Sequence, residues 1–176
     1  LAGRNRLQRL GAFHFAFAVW DIIYYAALKI FLDWPASLFT WDILFLIPVT
    51  WVGPVLAPVI NSLTMIAMAW LWHSLDRRHP PLSLHPAEWL LTFSGAFLIF
   101  VSYVRDYTLL ILRNWGPGSG EGTGTAGELT RAVSQYTPDQ YPWWLFITGE
   151  LLILTAMALT WRRLKRKLKL IIQNKK

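Results

Sequence analysis

Asp21, Asn61, Arg105 and Glu150 are the residues whose types could do chemistry together, because each interrupts a long apolar run. A charged side chain near the bilayer centre costs at least ~2.5 kcal/mol if unpaired, so it must face protein, find a partner or reach the interface. Asp21 falls close to the midplane of its run. Glu150 falls about two residues beyond the midplane and Asn61 at a similar depth; Arg105 is about six residues out, with a side chain long enough to reach back. The four are expected to form a polar cluster inside a helix bundle. Its functional reading is a site or pathway for a proton, a cation or a small polar solute. Its plainer reading is an ion pair that fixes helix register. Two further charges fall in the runs: Lys29 can snorkel to the nearby interface, and Asp106 points about 100° away from Arg105 and has no evident partner.

The histidines offer a second chemistry. His14 is about one turn inside the first run and His73 ends the second, so the two could meet at one edge of a bundle. Two imidazoles from facing helices are what a b-type haem requires. His73, Asp76 and His79, spaced by three, could contribute to a divalent metal site. Both are minor alternatives, and no cofactor is expected. With no cysteine in the chain, disulfides, iron–sulfur clusters and thiolate zinc sites are excluded. The glycine tract GPGSGEGTGTAG lacks the strand, helix and lysine of a phosphate-binding loop, and there is no GxSxG or HExxH. No catalytic activity is expected.

The elements that must position these residues are membrane spans. Of 176 residues, 55% are hydrophobic and 11 are tryptophan. The apolar run after Arg9 is about 20 residues long, which suits a span better than the core of a signal peptide. Spans are expected at about 11–32, 54–73, 87–112 and 143–161. They follow a basic lead at 1–10, enclose a flexible loop at 113–142, and precede a basic tail at 162–176. The stretch from Trp41 to Trp72 would be about 48 Å long as one helix, well beyond a hydrocarbon core. A helix break is therefore placed at Gly53-Pro54, with Pro54 in the first turn of the second span. Trp41 to Val52 becomes a short apolar segment, interfacial or re-entrant. A single proline-kinked helix is the alternative. The fold class is an all-α integral membrane protein, a four-span helix bundle with this extra segment.

Charge sets the orientation. The lead, the 74–86 turn and the tail carry 13 of the 17 basic residues, whereas the other loops are acidic. By the positive-inside rule both termini are cytoplasmic, in an inner membrane. The net charge of +7 is thus explained without nucleic acid. In the tail, Arg162, Arg163, Lys165, Arg166, Lys167 and Lys169 surround a stripe of Leu164, Leu168, Ile171 and Ile172, a pattern suited to anionic lipid headgroups. Tryptophans and tyrosines near the run ends form interfacial belts. Ala12 with Ala16, and Ser94 with Gly95, allow close helix approach.

The leading functional expectation is a non-catalytic small integral subunit that packs against other membrane proteins in a larger complex. A small-solute or ion conduit through the polar cluster is the first alternative. A haem- or metal-binding electron-transfer subunit is the second.

Overall fold

Without water, backbone N–H and C=O groups must bond to one another, so long apolar runs fold as helices. The computed structural model describes residues 6–47, 49–76, 83–115, 138 and 140–173, and not the side chains of 75–76, 113–115 and 167–172. It contains α1 (Arg6–Leu32), α2 (Leu56–Asp76), α3 (Pro86–Trp115) and α4 (Trp143–Gln173). All four are long and apolar enough to cross a membrane, which fits a multi-pass membrane protein. The glycine tract, Arg77, Arg78 and His79 lie outside the described residues, as do the side chains of Asp76, Lys167 and Lys169.

Residues 41–54 correct the reading of the middle stretch. They are not part of a kinked helix, and the short apolar segment is a hairpin. Strand β1 (Trp41–Phe45) pairs antiparallel with β2 (Trp51–Pro54), matching Trp41 to Pro54, Asp42 to Gly53, Ile43 to Val52 and Phe45 to Trp51. The register shifts between Ile43 and Phe45, which leaves Leu44 as the extra residue of a bulge. Gly53 and Pro54 therefore end a strand and do not open the helix. Pro54 is tolerated because it sits at the strand's end. Gly53 fits for a different reason: a Cβ there would stand 3.1 Å from the rings of both Tyr103 and Tyr141, tighter than ordinary contact. The helix opens at Leu56, and Pro58 takes the first-turn position where a missing N–H costs nothing. Val55 N–H donates to the Thr40 carbonyl at 3.0 Å and Leu56 N–H to the Leu38 carbonyl at 2.8 Å, tying the hairpin base to the helix start.

The helices associate as two pairs, α1 with α2 and α3 with α4, and the pairs meet where α2 touches α4. β2 rests on α3 and α2. The α3–α4 pair crosses at a glycine contact: a Cβ on Gly95 would lie 2.5 Å from the Gly149 carbonyl oxygen, and one on Gly149 would lie 2.6 Å from that of Gly95. About two turns from this crossing, at the start of α3, Glu88 joins the two helices. His85 precedes the first helical residue, Pro86, and its backbone N–H donates to Glu88 Oε2 at 2.8 Å, the reciprocal arm of a capping box. Arg163 of α4 donates from Nε to Glu88 Oε1 and from Nη2 to Glu88 Oε2, both at 2.8 Å. Its Nη2 also reaches the Ser83 carbonyl at 2.8 Å.

Candidate functional site

A cavity of about 460 Å³ lies between α1, α2, α3 and the hairpin. Helical spacing supplies its walls. Asp21 and Tyr25 are one turn apart on α1, as are Pro58, Asn61, Ser62 and Met65 over two turns of α2. β1 contributes Asp42 and Phe45, β2 contributes Trp51, and α3 contributes Tyr103. The hairpin covers the groove because Trp51 packs edge-on to Phe100, with ring centroids 4.9 Å apart, and stacks over Tyr103.

The polar groups of the cavity are arranged in two pairs. Ser62 Oγ donates to Asp21 Oδ2 at 2.8 Å, joining α1 to α2. Tyr25 OH donates to Asp42 Oδ2 at 2.8 Å, joining α1 to the hairpin. Asp42 Oδ1 accepts the Ile43 backbone N–H at 2.8 Å, so both of its oxygens are occupied. Asp21 Oδ1 accepts no bond among the described residues. Tyr103 is 4% exposed and its hydroxyl is buried without a hydrogen-bond partner. Tyr141 stands beside it, with ring centroids 5.9 Å apart, and shares its own hydroxyl with Ser102 at 2.8 Å. Burial raises the Tyr141 phenol well above its ordinary range, so it stays neutral. Rings line much of the remaining wall, including Trp20 stacked on Tyr24 at 5.7 Å.

The structure divides the expected polar cluster. Asp21 and Asn61 line this cavity together. Glu150 does not line it. It is 6% exposed and accepts a 2.7 Å hydrogen bond from Thr64 Oγ1, while its Oε1 is buried without a partner. Arg105 does not join the cluster either. It is exposed, and its Nη1 lies 3.2 Å from Asp106 Oδ1. The two Cβ directions diverge as expected, but the long arginine side chain folds back along the surface to its neighbour. Lys29 snorkels as its position suggests, to Asp33 Oδ1 at 2.6 Å and the Pro35 carbonyl at 3.2 Å. That ammonium holds the Asp33 carboxyl below its ordinary range.

The histidines open onto different spaces. His14 lines the Asp21 cavity at its far end and its Nδ1 lies 2.8 Å from the Leu10 carbonyl, as in a ring N–H donating back along the helix. His73 lines a separate, apolar groove with Gln8, Gly11 and Trp72. Among the described residues no three His, Asp or Glu side chains converge as a metal site. In the tail, Arg163 is committed to Glu88 and not to a headgroup, because a buried carboxylate offers a bidentate partner that water and lipid would have to replace. Lys165 Nζ lies over the Trp161 ring at 4.9 Å, and Arg162 and Arg166 are exposed.

No family model, no curated protein and no solved structure matches the chain.

Ser62, Tyr25, Asp42 and Tyr103 belong to the cavity and were not singled out in the sequence. The spacing Asp21–Tyr25 and Asn61–Ser62–Met65 was a readable signal that a polar stripe on α1 meets one on α2. Asp42 read as a loop charge because nothing in the sequence folds residues 41–54 back over the helices.

Proposed function

We propose that the chain is a non-catalytic, multi-pass membrane protein whose working part is the Asp21 cavity, where it holds a small solute. One observation carries this reading: a cavity of about 460 Å³ beside the helices in which Asp21 Oδ1 accepts no bond among the described residues. That volume falls in the range of small-molecule sites, and a mainly apolar wall with a few placed polar groups is their usual composition. The separation of Glu150 and Arg105 from the cavity favours a binding site over a conduit through all four spans. The basic lead, turn and tail support an inner-membrane placement with both termini cytoplasmic.

A second reading, an accessory subunit of a larger membrane complex, is supported by α1. It touches no helix other than α2 among the described residues, and Trp20, Ile23, Ile30 and Phe31 are largely exposed along it.

One preparation separates the two. Mild detergent extraction from native membranes, then sizing and mass spectrometry of the same peak, is expected to give a monomer or small homo-oligomer carrying a small molecule. The cavity-filling variant Ser62→Trp is expected to lose that molecule. A large peak with stoichiometric protein partners, and no small molecule dependent on Ser62, would establish the subunit reading instead.

A further inference from the structure

We infer that the solute held beside Asp21 is an amphipathic organic cation: an ammonium group attached to an apolar body. The inference rests on the solute-binding reading above and specifies its ligand.

The charge balance of the cavity points this way. Asp21 and Asp42 both line it with His14 at its far end, and among the described residues no lysine or arginine does. The lysine and the arginine within the apolar runs 11–32 and 87–112 are engaged elsewhere, Lys29 with Asp33 and Arg105 with Asp106. Carboxylates at membrane depth are ordinarily compensated by a counter-charge. Here the fold supplies hydroxyl donors, Ser62 to Asp21 and Tyr25 to Asp42, but no cation. The free Oδ1 of Asp21 is left as the acceptor for an ammonium group.

The rest of the wall selects the body of the ligand. Trp20, Tyr24, Phe45 and Trp51 line the same space. Aromatic faces attract cations, quaternary ammonium groups above all, and they also accommodate hydrocarbon. A bare metal ion is disfavoured, because it needs a shell of several oxygen ligands and this cavity offers mostly rings. An anion is disfavoured by both carboxylates. Tyr103 adds a further ring to the wall, while its hydroxyl is buried away from the open space.

The test uses the full chain in lipid nanodiscs and three probes of one shape. These are benzyltrimethylammonium, its uncharged isostere neopentylbenzene, and benzenesulfonate as the anion. Binding is read as the concentration-dependent rise in unfolding temperature. The cation is expected to stabilise the protein, with the isostere and the anion far weaker. Asp21→Asn keeps an acceptor for Ser62 and is expected to weaken the cation by about tenfold or more, the scale of losing one close opposite charge in a partly desolvated site. Should that variant fold poorly, Trp20→Leu, at a largely exposed position on the cavity wall, removes one aromatic face and is expected to weaken the cation several-fold. Equal stabilisation by the isostere and the cation, unchanged by Asp21→Asn, would overturn the cationic ligand while leaving a solute cavity in place. No stabilisation by any of the three would overturn both.

Discussion

Leucine in place of Gly149 is expected to separate α3 from α4 and to cost the protein several degrees of thermal stability. The argument is steric. Already a Cβ at this position meets the Gly95 carbonyl oxygen at 2.6 Å and Ile99 Cγ1 at 2.7 Å. The carbonyl belongs to a helix backbone and cannot rotate aside as a side chain could. The helices must move apart, and in lipid they have no hydrophobic driving force to offset the lost contact, because association there depends on close packing. Overpacking of this kind costs about 1–3 kcal/mol. The clash is reciprocal, since a Cβ on Gly95 meets the Gly149 carbonyl at 2.5 Å. Gly95→Leu is expected to behave alike, and alanine at either position to fall between. Detergent-phase unfolding followed by tryptophan fluorescence checks this; an unchanged midpoint for both leucine variants would mean that the crossing is not tight.

The second large effect is expected at Arg163. Removing one partner of a buried ion pair costs about 3–5 kcal/mol, because the other charge is left without compensation. The two ends of this pair are unequally placed. The side chain of Glu88 is 5% exposed and that of Arg163 is 27% exposed. Arg163→Ala therefore strands a carboxylate away from water, whereas Glu88→Gln leaves an arginine that can turn outward. Arg163→Ala is expected to be the more destabilising, toward the lower end of that range because the pair is partly solvated. Glu88→Gln also keeps an acceptor for the His85 N–H and so preserves the helix cap. A double-mutant cycle measures the pair directly. A coupling energy near zero would contradict its role as the clasp between α3 and α4.

The four helices were legible because length and apolarity suffice to mark a span, and Asp21 and Asn61 were legible because polar side chains stand out there. Depth along the membrane normal can be counted from sequence, but rotation around each helix axis cannot be counted as easily. Glu150 shares its depth with Asn61 yet bonds to Thr64 and stays out of the cavity. The hairpin was not legible for a related reason. WDILF and WVGP show no alternation of polar and apolar residues, because the strands are apolar on both faces, and their prolines read as helix punctuation. Gly149 looked like any small residue of a span until Gly95 was found facing it. The Glu88–Arg163 pair joins residues 75 apart, a separation over which no local rule links two charges.

The central claim, that the space beside Asp21 admits a polar solute, is tested most directly by thiol labelling, for which the absence of cysteine provides a clean background. Asn61→Cys places a thiol on the cavity wall. Leu63→Cys places one at an exposed position that does not line the cavity and faces lipid in a membrane. A thiol reacts as its thiolate, which hydrocarbon suppresses. In membrane vesicles, a methanethiosulfonate reagent bearing a trimethylammonium head is predicted to modify Asn61→Cys about tenfold faster or more than Leu63→Cys. Equal rates, or faster reaction at position 63, would contradict a solute-accessible cavity.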